Sequence, residues 1–326
     1  MNDDPRTSQG AIGSADIGRH ARSPGAMPRQ GWWRIVKRVV RRFGDDNVSL
    51  ISAGVAFYAL LGLFPALAAL ISIFGLVADP HQVQAQFANL KDVLPGDAYS
   101  LISQQLTSLA GGYGTQLGTG LAIAILLSVW SATRGTRSLI VALNIVYDEE
   151  EQRGLIHQNL LAFGMTLFLI IVVITAIIAV VAAPIVLGFL GPDHLVSTLI
   201  DWVRWPLLAV VAILALAVMY RYGPARRKAR WRWLPPGSVL ALAVWLIASS
   251  LFSLYVSRFA DYNATYGAIG GVIILLMWLY LSALAILLGA ELNAVLEHQT
   301  AVDTTIGPDR PRGKRGAHMA DHLPES

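Results

Sequence analysis

The chain contains no cysteine. That excludes disulfides, a thiolate nucleophile and every cysteine-based metal site, and it leaves the compartment unreadable from redox chemistry. Charge is almost as scarce. Only 14% of the 326 residues are charged, against roughly 25% in an ordinary soluble domain. Lysine occurs at four positions, Lys37, Lys91, Lys228 and Lys314. Enzyme signatures are missing too: no HExxH, GxSxG or P-loop sequence occurs, and the seven histidines are scattered along the chain. Hydrolytic metal chemistry gathers several ligands in one place. The sequence reads as no enzyme, with no metal and no cofactor.

What is present is uninterrupted apolar sequence. Hydrophobic residues make up 55% of the chain, mean hydropathy is +0.54, and the charges crowd into the first 46 residues, the last 25 and a few short loops. A helix needs about 20 mostly apolar residues to cross some 30 Å of hydrocarbon. Intervals 47–78, 98–133, 154–192, 233–257 and 262–290 meet that test, and 205–220 does so if Asp201 and Arg204 sit one turn further out at the interface. The first apolar run begins near Leu50 and far exceeds the roughly 7–15 residues of a signal-peptide core, so it is expected to stay as an anchor.

Orientation follows from the basic residues. With the N-terminus inside, 22 Lys and Arg fall in inside segments and three (Lys91, Arg204 and Arg258) fall outside. The predicted fold is all-α: a polytopic membrane protein of about six helices, with both ends cytoplasmic. Spans are expected near 50–77, 117–133, 158–187, 200–220, 235–257 and 267–290, with short extramembrane helices within 81–110. Residues 1–31 and 298–326, rich in Gly, Pro, Ser, Arg and Asp, are expected to be disordered tails. Residues 32–47 alternate bulky apolar and basic side chains, which predicts an amphipathic helix on the anionic leaflet held by Arg34, Lys37, Arg38, Arg41 and Arg42. Nucleic acid is the less favoured partner of such a segment.

Several polar positions interrupt the apolar pattern. Pro65 removes a backbone hydrogen bond from a first span whose one face is made of small residues, which gives a hinge or ordinary close packing. Arg134, Arg137, Asn144, Tyr147 and Asp148 gather where the second span ends, as a polar gate or as a solvated loop. Glu291 follows 29 uncharged residues and is trailed by Asn293; a carboxylate at the membrane edge is a functional candidate. Asn263, Tyr266 and Gly267 form an outer loop between the last two spans.

Three stretches carry a family resemblance. They are SAGVAFYALLGLFPALAALISIFG (52–75), VWSATRGTRSLIVALNIVYDEEEQR (129–153) and the long ending 220–297 with its YNATYG and GAELNA segments. Over residues 48–297 the sequence resembles the YihY/virulence factor BrkB family of bacterial inner-membrane proteins. Members have carried the label ribonuclease BN, a misassignment in keeping with the missing metal ligands. The resemblance implies a six-helix inner-membrane protein and points to export of an envelope lipid or other amphiphile. A small-solute or ion transporter, or a scaffold that binds envelope-assembly partners or a second copy of itself, are the alternatives.

Overall fold

The structure, a computed structural model, describes residues 18–77, 117–190, 194–258 and 268–323, with side chains over 18–63, 129–176, 202–257 and 270–323. The expected helices within 81–110, and the loop with Asn263, Tyr266 and Gly267, lie outside these residues. An amphipathic helix α1 (Arg29–Asp45) leads into α2 (Val48–Val77), followed by α3 (Leu117–Val146), α4 (Leu155–Leu190) and α5 (His194–Tyr222). After a connecting loop come α6 (Pro235–Arg258), α7 (Ala268–Gln299) and the short α8 (His318–Asp321). Among the described residues there is no β-strand, only one isolated bridge between Ala229 and Thr305.

Among the described residues four segments are long and apolar enough to span a bilayer: Leu155–Ala176, Trp202–Tyr222, Trp231–Ser257 and Gly270–Gln299. A fifth is counted if α1 and the start of α2 are taken as one element bent by 63°. Their apolar surfaces face outward: Ile171, Ile247 and Leu251 are each more than 60% exposed. Such surfaces need lipid, since water would penalise them and helices satisfy their own backbone groups. The chain is an all-α, multi-pass membrane protein. The span expected at 200–220 is less marginal than its 16 uncharged residues suggest, because α5 starts at His194 and runs through Pro206.

The helices meet where their residues are small. A Cβ on Gly62 would stand 3.1 Å from Ala132 Cα, and one on Gly135 would stand 3.3 Å from Ala59 Cα, so α2 and α3 touch backbone to backbone. The small-residue face of the first span is therefore a packing surface over its described part. α2 continues through Pro65 as one helix. Polar pairs add interhelical ties: Thr166 to Thr136 at 2.8 Å, Trp245 Nε1 to Ser282 at 3.0 Å, and the Tyr220 hydroxyl to Ile286 O at 2.8 Å.

The tail expectation needs correction. Residues 18–28 and 300–323 are folded against one face of the bundle. Ala301 N donates to Arg19 O, and Thr300 Oγ1 donates to Ala21 O. Arg315 donates to the carbonyls of Ala301, Arg310 and Ala320, while Asp321 accepts from the backbone of Gly313, Arg315 and Gly316. The segment lacks an apolar core of its own, and these side chains replace one by satisfying its backbone. Both described ends of the chain thus lie on one face, called here the terminal face.

Candidate functional site at the terminal face

The site begins with the way α3 stops. Glu149 N bonds Asn144 O and Asp148 N bonds Ile145 O, with Asp148 at φ 52°. That is a Schellman ending with aspartate in the left-handed position usually taken by glycine. The reversal points Asp148 at α1 and Glu149 at the tail. Arg42 Nη1 donates to Asp148 at 2.9 Å, and Glu149 accepts the backbone N–H of His318 at 2.7 Å.

Arg42 is the centre of the first cluster. Its guanidinium also donates to Asp46 at 2.9 Å, to Val146 O at 3.1 Å and to Glu291 Oε2 at 3.2 Å. Glu291 is fully buried, and the Asp46 carboxyl lies against it. One arginine thus faces three carboxylates. Burial pushes Asp46 above the ordinary carboxylate range.

The second cluster lies nearly two turns further along α7. Glu297 receives both terminal nitrogens of Arg226, at 2.7 and 2.8 Å, and the hydroxyl of Thr304 at 2.9 Å. Both charged side chains are fully buried, where a bidentate pair with its lone pairs satisfied is the arrangement that offsets desolvation. The Arg226 guanidinium stacks 4.1 Å from the ring of Tyr147. Burial holds the Tyr147 hydroxyl well above its usual range.

Between the clusters, Asn293 binds α6. Its Oδ1 accepts Gly237 N at 2.8 Å and its Nδ2 donates to Leu234 O at 3.1 Å. Pro235 and Pro236 open α6, and their fixed φ and missing N–H suit a first turn. Asn293 supplies from a neighbouring helix the partner that the orphan N–H of Gly237 lacks. This works because the backbones almost touch: a Cβ on Gly289 would fall 2.4 Å from Gly237 O.

Asn144 staples the end of α3 to the loop after α5, accepting Ala225 N at 2.7 Å and donating to Glu151 at 2.9 Å. The Arg153 guanidinium, working against burial, holds Glu151 below the usual carboxylate range. The other expected residues separate from this group. Arg134 is exposed, and Arg137 reaches out to Asn159 and Gln158, each at 3.2 Å. Glu291 does not simply end a span in water, because α7 continues to Gln299 with Glu291, Asn293 and Glu297 all buried.

The basic helix also divides. Ile35 and Val39 are buried, in a cluster with Trp233 and Leu296, and each such side chain contributes about 1.5–3 kcal/mol on burial. Arg38 bonds Gln299 at 2.8 Å. Arg38 and Arg42 therefore face the protein, contrary to the expectation that they face lipid. The outer side carries Trp33, Val36 and Val40 beside Arg34, Lys37 and Arg41.

Sequence reading gave Arg42 to the leaflet and missed Asp46, Arg226, Gly237 and Gly289. A usable signal was the i, i+4, i+8 spacing of Gly289, Asn293 and Glu297, a small and polar stripe on an otherwise apolar helix. Among the described residues no group of three His, Cys, Asp or Glu could hold a metal ion.

Comparison with known proteins agrees in extent with these contacts. The virulence factor BrkB family matches residues 39–314, which takes in α1 from its second half through most of the tail. A putative ribonuclease-like protein, YfkH, of Bacillus subtilis is 32% identical over 269 residues, covering 80% of this chain and 94% of that protein. UPF0761 membrane proteins of Idiomarina loihiensis and Pseudoalteromonas translucida are 27% and 24% identical. They cover 79% and 86% of this chain, and 88% and 91% of their own lengths. No solved structure matches.

Proposed function

Because the chain belongs to the virulence factor BrkB family of membrane proteins, we propose that it is a transporter or export factor of the bacterial inner membrane, and that it handles an envelope lipid or other amphiphile. The observation that supports this is the excess of carboxylate around Arg42, with Glu291 buried, Asp46 partly buried and Asp148 at the exposed edge. A cluster with three acids and one base binds a proton or a cation, and a purely structural joint gains nothing from that excess. Proton uptake weakens the hold of Arg42 on Glu291 and Asp148, and α1 is then free to move about the 63° bend at Asp46–Asn47. The outer side of α1, with Trp33, Val36 and Val40 next to Arg34, Lys37 and Arg41, suits acyl chains and anionic headgroups at the cytoplasmic interface.

The test is transfer of a headgroup-labelled anionic lipid between leaflets of proteoliposomes. Wild-type protein accelerates transfer, and Glu291→Gln removes most of the acceleration. Wild-type rates equal to those of protein-free vesicles sink the export reading. Equal rates in wild type, Glu291→Gln and Arg42→Gln remove the cluster from the mechanism.

One observation favours a scaffold instead. An apolar groove of about 310 Å³ along α4, lined by Leu160, Leu161 and Met165, is shallow, and the tail covers the Arg226–Glu297 pair at the terminal face. Recovery of one stoichiometric crosslinked partner, with no lipid transfer, would select that reading.

A further inference from the structure

Beside the two buried clusters, the folded tail builds a cleft of about 500 Å³ with a different character. Its walls carry Arg22, Arg230, Arg232, Arg310 and Arg315. Two carboxylates share the cleft, and both are already engaged. Asp303 accepts from Thr305 N at 2.9 Å, Thr305 Oγ1 at 2.7 Å and Arg310 N at 2.9 Å. Asp309 pairs with Arg230 at 2.5 Å. Arg230 further donates to Thr305 O and Gly307 O, and Arg315 donates to carbonyls of the tail. These bonds fix the walls in place.

Arg22, Arg232 and Arg310 are different. All three are exposed, and their guanidiniums make no hydrogen bond or ion pair with another described residue. They come from three separate segments: the folded N-terminal turn, the 3-10 turn Trp231–Trp233 that opens the α6 span, and the tail. Like charges brought to one rim from three segments repel each other, and an anion between them relieves that cost. Guanidinium forks match the oxygens of a phosphoryl group in pairs. Arg232 adjoins the half-exposed Trp231 at the start of a span, so the rim stands at headgroup depth.

We infer that this cleft is a phosphoryl-binding site, with Arg22, Arg232 and Arg310 as the ligand-binding residues and Arg230 and Arg315 as its fixed wall. The phosphoryl group belongs either to a lipid headgroup entering from the leaflet or to a soluble phosphate. The site does not depend on lipid transfer, so failure of the export reading leaves it standing.

The experiment uses the full-length protein in detergent, titrated by calorimetry with inorganic phosphate and, separately, with dihexanoyl phosphatidic acid. Saturable binding of at least one probe is expected, weakened about tenfold or more in Arg22→Ala/Arg232→Ala/Arg310→Ala. The variant Arg29→Ala/Arg312→Ala/Lys314→Ala loses the same charge at exposed positions outside the cleft and keeps wild-type affinity. Binding of phosphatidic acid alone assigns a headgroup; binding of both probes with similar affinity assigns a soluble phosphoryl ligand. Equal affinity in the two triple variants, or no saturable binding of either probe, overturns the site. Melting temperatures of the variants show whether any loss comes from unfolding.

Discussion

Arg226 and Glu297 meet through two parallel hydrogen bonds with both side chains fully buried, 71 residues apart in sequence. The pair fixes the loop after α5 to the end of α7, and Thr304 brings the tail to the same carboxylate.

Breaking that pair from one side leaves an uncompensated buried charge. Arg226→Met and Glu297→Met are each expected to cost about 3–5 kcal/mol, whereas Arg226→Met/Glu297→Met recovers much of the loss. Thermal melts in detergent give the double-mutant cycle. Strict additivity of the two single losses would show that the charges are not coupled.

The crossing of α6 and α7 admits no side chain. Gly237→Ala and Gly289→Ala should each destabilise by about 1–3 kcal/mol or more, because the new methyl meets a carbonyl oxygen of the other helix at 2.1 or 2.4 Å. Gly54→Ala and Gly164→Ala meet nothing within 4 Å. These two should be neutral or gain up to about 1 kcal/mol of helix propensity. A similar melting shift for all four variants would count against the close crossing.

Asn293→Ala removes the partner of Gly237 N and Leu234 O together, at about 1–3 kcal/mol for the stranded groups. Asn293→Asp restores the acceptor but not the donor, and is expected to fall between Ala and wild type. Hydrogen exchange at Gly237 is the direct readout, with protection lost in Asn293→Ala.

Docking of the tail should depend on pH from both sides. Burial pushes Glu149 up to about 7 from 4.5, so its contribution is present below pH 4.5 and is lost as pH rises through 7. Burial moves His318 the other way, below 6.5, so its contribution is present above 6.5 and is lost as pH falls through the lowered value. A spin label on the tail and another on α3, placed in the cysteine-free chain, would report the distance between them. Glu149→Gln should keep only the acid-side loosening, and His318→Gln only the loosening near neutrality. A pH-independent distance in wild type would contradict both assignments.

Much of the fold was legible because lipid imposes simple rules. Runs of apolar residues gave the helices, and the alternation of bulky apolar and basic side chains over 32–47 gave α1. Glu291 and Asn293 could be flagged because a polar residue costs most in an apolar helix. Their partners were hidden by distance: Arg42 is 249 residues from Glu291, and nothing local marks it among the nine basic residues of the first 46. Arg226 was masked in the same way by a loop of six basic residues. The tail was misread because composition measures the apolar burial available to a segment. It cannot register backbone satisfied by Arg315, Asp303 and Asp321.

The joining of the segments at 19–42 and 291–301 has a consequence for biosynthesis. Arg42 needs Glu291, Arg38 needs Gln299 and Arg19 needs Ala301. At translation rates of about 5–20 residues per second, α1 is complete some 10–50 s before its partners leave the ribosome. During that interval its inward arginines lack their partners on α7 and are solvated. α1 settles onto α7 only when the last span has been inserted. A nascent chain that stops early keeps the Ile35 and Val39 side of α1 bare, and so presents the cell's quality-control proteases with an apolar handle that the finished protein conceals.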